Sequence, residues 1–217
     1  MKNGDGQIYL VQFDNLYRAS ATFMRFQEYY ESPKFKNITF SWEEFMDYYA
    51  DKHGFFTYFE DFAGFNLPSE VLEPFYNGEF HPLTEKEGRF LKLFKNKVGK
   101  FYIIGAVKNC DIEDLRHEIV HGLFYTRLDY RKDVLNCLKK FGLKRFKKAL
   151  KKHEYHPDLF DDEINAYCLT GLGVIFDKRK VRKLVKELSD IFYKFFGFRA
   201  NSGNRQFWLK KVRVLNL

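Results

Sequence analysis

The sequence predicts an α+β protein, mainly helical, with a small sheet. Three observations carry that expectation. Apolar residues recur at helical spacing over long segments, most clearly in Lys178–Phe196, where Val181, Leu184, Val185, Leu188 and Phe192 share one face. Two capping boxes, Ser41-Trp42-Glu43-Glu44 and Thr84-Glu85-Lys86-Glu87, mark helix starts, since hydroxyl and carboxylate each satisfy the other residue's exposed backbone N–H. Few stretches read as strands: Gln7–Phe13 and Lys100–Val107 do, and the tail Gln206–Val214 alternates weakly enough to be a last one.

Taken in order, Gln7–Phe13 is a strand with Ile8, Leu10 and Val11 apolar. Asp14 is placed to cap a helix over 15–31, built on Leu16, Phe23, Phe26 and Tyr30 and ended by Ser32-Pro33. Ser41 opens a helix from Trp42 to about Lys52. Gly54–Phe80 is dense in Phe, Gly and Pro and reads as an irregular aromatic core layer or as a cleft wall or lid, with a short helix near Pro68–Tyr76. Thr84 opens a helix to about Lys97. The strand Lys100–Val107 lies between Gly99 and Asn109, and Asp111 caps a helix running to about Tyr125. Two helices follow between Tyr130 and Lys152, broken near Gly142. A turn at His156-Pro157-Asp158 and a helix over Leu159–Leu172 precede the amphipathic Lys178–Phe196.

No linker or repeat divides the chain, so residues 1–217 are expected to form one domain, with an aromatic-rich helical part over 1–98 and the remaining core over 99–217. Aromatics make up 19%, enough to build a thick core with few aliphatics. Three cysteines without a C-x-x-C pair argue against a disulfide framework and for a reducing compartment. The start lacks the apolar core of a signal peptide, and no run is long enough to span a bilayer, so a soluble cytoplasmic protein with no membrane partner is expected. The net charge of +8 is concentrated in Lys139, Lys140, Lys144, Arg145, Lys147, Lys148, Lys151 and Lys152. That stretch is either a solvated helix face or, through Lys144, Arg145, Lys147 and Lys148, a track for nucleic-acid phosphates.

The chemistry sits in His117-Glu118-Ile119-Val120-His121. Residues four apart share one face of a helix, so both imidazoles can reach one metal ion, with Glu118 beside them to hold a water. This is the H-E-x-x-H arrangement of zinc hydrolases. A metzincin would carry Gly at position 124 and His at 127; Phe124 and Arg127 exclude that class. A catalytic zinc takes three protein ligands and keeps a position for water. The third ligand is therefore sought downstream, first at Glu163, then at Asp162, His156 or His153. Glu163 shares a helix face with Tyr167, and the small Ala166 lets two helices approach closely.

The strand Lys100–Val107, the His117–His121 helix and the later Glu163-Ile164-Asn165-Ala166-Tyr167 helix together resemble the core of zincin metallopeptidases, and the downstream Glu makes them similar to the gluzincin branch. The resemblance covers roughly Phe101 to Leu172. It implies a zincin-like core in which the strand before the metal helix is a sheet edge that binds extended peptide. It implies one zinc ion held by His117, His121 and Glu163, a peptide or protein substrate, and Glu118 as general base. Asp114 is a candidate acceptor for an imidazole N–H. Tyr167, Tyr155, His156 and Arg205 are candidate donors to the oxyanion.

Three other functions compete with a zinc metallopeptidase. A catalytically degenerate zincin fold would act as a binding or scaffold protein. A DNA-associated metalloprotease would use the basic helix over 139–152. A non-hydrolytic iron enzyme would also suit two His and one carboxylate.

Overall fold

The structure, a computed structural model, describes residues 7–62, 64–153, 155–171 and 178–217, with the side chains of 178–180 outside the description. It is a mixed α+β fold. A four-stranded sheet separates two groups of helices, and its strands are β1 (Gln7–Phe13), β2 (Gly64–Pro68), β3 (Phe101–Val107) and β4 (Arg213–Asn216). Their order across the sheet is β2-β3-β1-β4. β1 runs parallel to both β3 and β4, while β2 is antiparallel to β3.

Alternation along the strands splits the core in two. Ile8, Leu10, Tyr102, Ile104 and Ala106 face one way. Tyr9, Val11, Phe13, Phe101 and Ile103 face the other, joined by Phe65 and Leu67 of β2. A sheet covered on both faces explains why β1 and β3 read as nearly continuous apolar runs. On the second face pack α1 (Leu16–Glu31), α2 (Trp42–His53), α3 (Tyr58–Asp61), α4 (Glu73–Tyr76) and α5 (Glu85–Phe94), through a bed of rings such as Phe26, Phe75 and Phe80. On the first face lie α6 (Ile112–Thr126), α7 (Leu128–Leu138), α8 (Lys144–Lys152), α9 (Phe160–Thr170), α10 (Lys178–Phe196) and α11 (Arg205–Leu209).

Both capping boxes form, Ser41 with Glu44 and Thr84 with Glu87. Glu87 does more than cap. Its carboxylate also receives Arg25 Nε and Nη2 of α1 at 2.7 and 2.6 Å, and neither side chain is more than 3% exposed. This buried pair ties α1 to α5.

Several expectations need correction. The cap of α1 is Asn15, whose side chain accepts the Arg18 N–H at 2.9 Å; Asp14 instead pairs with Arg18 and Lys108. The tail is helix then strand, α11 followed by β4, because Asn204 caps a turn that buries Trp208. β2 falls inside the segment read as irregular: five residues containing Asn and Pro carry little strand signal. Its existence also overturns the edge-strand expectation. β3 is interior, paired on both sides, so Phe101–Val107 has no free edge to offer a peptide. Leu172, where the helix over 159–172 is expected to end, lies outside the described residues. Among the described residues, no helix is long and apolar enough to cross a membrane.

Candidate metal centre

The helix α6 begins where the sequence places it. The Asp111 carboxylate accepts the Glu113 N–H at 3.1 Å, and Glu113 and Asp114 put negative charge in the first turn. One face of α6 lies on the sheet. A Cβ at Gly122 would come within 2.9 Å of Ile8 Cδ1 and 3.1 Å of Tyr102 Cδ1, so glycine there allows α6 its close seat. That seat fixes the neighbouring His121, which is 2% exposed.

Against α6 packs α9, and three of its side chains one turn apart meet the histidines. Glu163 presents Oε2 at 3.6 Å to His117 Nε2 and Oε1 at 3.6 Å to His121 Nε2. Tyr167 lays its ring 4.7 Å from that of His117. Thr170 Oγ1 stands 3.2 Å from His117 Nδ1. Positions i, i+4 and i+7 of a helix form one stripe, which is why a single helix supplies all three. Ala166, fully buried, keeps the two helices close.

One ligand atom each from His117, His121 and Glu163 lie within 4.8 Å of one another. His121 Nε2 and Glu163 Oε2 are buried with no hydrogen-bond partner, although buried polar atoms are normally paired. The outer imidazole nitrogens are occupied: His121 Nδ1 meets Asp162 Oδ1 at 3.0 Å, and His117 Nδ1 meets Thr170. Each ring thus turns its other nitrogen toward the common point, as metal-binding histidines do. The residues fit a divalent cation in donor type, separation and orphaned atoms.

The electrostatics agree. Burial opposes charge on His121, but Asp162, Glu163 and Glu118 together hold its imidazole well above the ordinary range. Burial likewise pushes Glu163 up, yet His121 and His117 outweigh it and leave the carboxyl below its usual value. Glu118 ends above its usual value, because burial exceeds the pull of the two histidines. A cation among His117, His121 and Glu163, with Glu118 beside them, would be favoured by these carboxylates.

The second wall of the site is one that sequence reasoning missed. Asn66 of β2 donates from Nδ2 to Glu118 Oε2 at 2.6 Å, and Tyr102 OH donates to Asn66 Oδ1. Gly64, two residues earlier, lets β2 lie against the same carboxylate; a Cβ there would sit 3.3 Å from Glu118 Oε1. The Asn66 backbone N–H donates outward to Gln27 Oε1 of α1 at 3.1 Å, and Gln27 Nε2 donates to Glu31 at 2.6 Å. Between the walls lies a cleft of about 410 Å³, bordered by His117, Glu118, His121 and Glu163 on one side and by Glu31, Tyr49, Phe62 and Asn66 on the other. Gln27 and Glu31 are one helical turn apart, but no spacing rule links them to Asn66. Thr170, by contrast, could have been found from its i+7 relation to Glu163.

Other named residues fall elsewhere. The imidazole partners are Asp162 and Thr170; Asp114 is neither. His153 borders the cleft without joining the ligand group. His156 is outside the cleft lining and caps the turn at Pro157, near Lys36 Nζ at 3.3 Å. Arg205 holds the backbone carbonyls of Lys108 and Cys110. Tyr167 and Tyr155 both border the cleft, their hydroxyls 2.9 Å apart, and burial raises both phenols above the ordinary range. Lys144, Arg145, Lys147 and Lys148 are exposed on α8, outside the cleft lining, with Lys147 paired to Asp161 at 3.1 Å.

Comparison of the chain with protein-family models, with curated proteins and with solved structures returns no match.

Proposed function

We propose that the protein is a zinc-dependent metallopeptidase of gluzincin type, with His117, His121 and Glu163 as metal ligands and Glu118 as general base. The observation that carries this reading is the pair of orphaned buried atoms, His121 Nε2 and Glu163 Oε2, converging with His117 on one point in an open cleft. A solvated pair of surface histidines would leave neither atom buried and unpaired.

Zinc bound there would lower the pKa of a water to roughly 7 and polarise a carbonyl. The chain's own residues do the rest. Glu118, raised by burial and held by Asn66, accepts the proton of the attacking water at its carboxylate. The water oxygen bonds to the carbonyl carbon, the C–N bond breaks, and Glu118 returns the proton to the leaving nitrogen. Tyr167, which borders the cleft and keeps its proton at neutral pH, would donate to the oxygen that gains charge. Asp162 and Thr170 fix the orientation of the two imidazoles.

Elemental analysis and peptide cleavage of Glu118→Gln test this. One zinc per chain with cleavage reduced by about 10²-fold or more is expected, since the ligands survive and the base does not. Full activity in that variant, or no transition metal in the purified wild type, would overturn the proposal.

A further inference from the structure

The protein has a formal net charge of +8, yet four carboxylates border its cleft. Beyond Glu118 and Glu163, the lining includes Glu28 and Glu31 from the last turn of α1. That turn contains no basic residue, although a helix C-terminus favours cations and disfavours carboxylates. Glu31 is the final residue of the helix. Its one hydrogen bond is from Gln27, and among the described residues no lysine, arginine or histidine forms an ion pair with it. Lys52 also borders the cleft, its ammonium 5.8 Å from the centroid of the Tyr48 ring, and Lys34 lies over the same ring at 4.1 Å.

Tyr49, Phe45 and Phe62 border the same space. A carboxylate, the negative end of a helix and aromatic faces form a chemistry suited to an arginine or lysine side chain, which would gain an ion pair and cation–π contact together. Burial, then the charges of Glu163 and Glu118, hold the Glu31 carboxyl well above its usual range, a penalty that an arriving cation relieves.

We propose that Glu31 is a specificity-determining residue that selects peptides carrying an arginine or lysine side chain beside the scissile bond. This rests on the hydrolytic reading above, but binding can be measured without turnover. The experiment uses the zinc-loaded Glu118→Gln protein and blocked hexapeptides of alanine and glycine carrying one arginine, norleucine or glutamate at each position in turn. Calorimetry is expected to show at least one position where arginine binds ~10-fold tighter than norleucine, with glutamate weakest. Adding Glu31→Gln should erase that preference while zinc stays at one per chain. Adding Glu31→Lys should reverse it toward glutamate.

No arginine preference, or one that survives Glu31→Gln, overturns the proposal. The same arginine peptide offered to wild type separates the two readings: binding without cleavage would sink the hydrolase and leave the subsite standing. Cleavage indifferent to the arginine would do the opposite.

Discussion

The two walls of the cleft are built on opposite plans. The α6–α9 wall draws its groups from two helices at fixed spacing: His117 and His121 four apart, then Glu163, Tyr167 and Thr170 on one stripe. It leaves ligand atoms buried and unpaired. The α1–β2 wall assembles Gln27, Glu31 and Asn66 from two elements that meet only after folding, and it completes its hydrogen bonds from Glu31 through Gln27 to the Asn66 backbone. The difference teaches which wall needs a guest to be satisfied. The first, on the proposed reading, is completed by a cation; the second aims one amide at Glu118 and sets the Glu31 carboxylate in the cleft lining.

Glu163→Ala should separate the walls most sharply. It removes the ligand proposed on α9, so zinc measured by elemental analysis should fall from one per chain to well below it, and cleavage should vanish with it. Far-ultraviolet circular dichroism should be nearly unchanged, because the α1–β2 wall does not depend on that carboxylate. Retained stoichiometric zinc would move the third ligand to Asp162 or His153 and void the geometry argued above.

The next largest effect belongs to the anchor of the second wall. Arg25 and Glu87 are both buried, and among the described residues no other cation pairs with the Glu87 carboxylate. Arg25→Met should cost about 3–5 kcal/mol in urea unfolding, because it leaves an uncompensated buried carboxylate that also caps α5. The folded fraction should still bind one zinc. A loss under about 1 kcal/mol would mean that ring packing alone holds α1.

This contrast also explains what the sequence made legible. Periodicity and caps reveal helices because their signals are local, so α2, α5, α6 and α10 emerge close to their observed bounds. The two histidines of the proposed site follow from the same locality: four-residue spacing puts both on one face whatever the rest of the chain does. β2 was invisible because Gly64-Phe65-Asn66-Leu67-Pro68 has neither length nor alternation in its favour. Its identity is set by pairing with β3, some forty residues away in the chain, and with it went Asn66 and the true edge of the sheet. Gln27 and Glu31 read only as polar positions on an amphipathic helix. What they face is a tertiary fact.

Asn66→Leu sharpens the comparison where the walls are joined by a hydrogen bond. Its amide cannot flip without turning Oδ1 toward the Glu118 carboxylate, so Tyr102 and Glu118 together determine which way it points. Losing a hydrogen bond to a charged group should lower kcat about tenfold, with zinc content and KM little changed. Asn66→Asp should be worse, since it sets a second carboxylate against the first. Equal activity in all three proteins would reduce Asn66 to a strand residue.

The smallest effect concerns Glu31 in the metal-free protein. Burial, with Glu163 and Glu118 nearby, raises its folded-state pKa well above the 4.5 expected when unfolded. Between those values the native state holds a proton that the unfolded state has lost. Stability should therefore fall as pH rises from about 4.5 through the folded value, then level off. Glu31→Gln removes that contribution. Its melting temperature should exceed that of wild type more at pH 8 than at pH 5, measured by scanning calorimetry with chelator present. Loading zinc should shrink the difference, because the ion offsets the carboxylates that raise the Glu31 pKa. A gain that is the same at both pH values would mean that Glu31 is already ionised in the empty cleft, and that the wall facing the metal site is less hostile to negative charge than its lining implies.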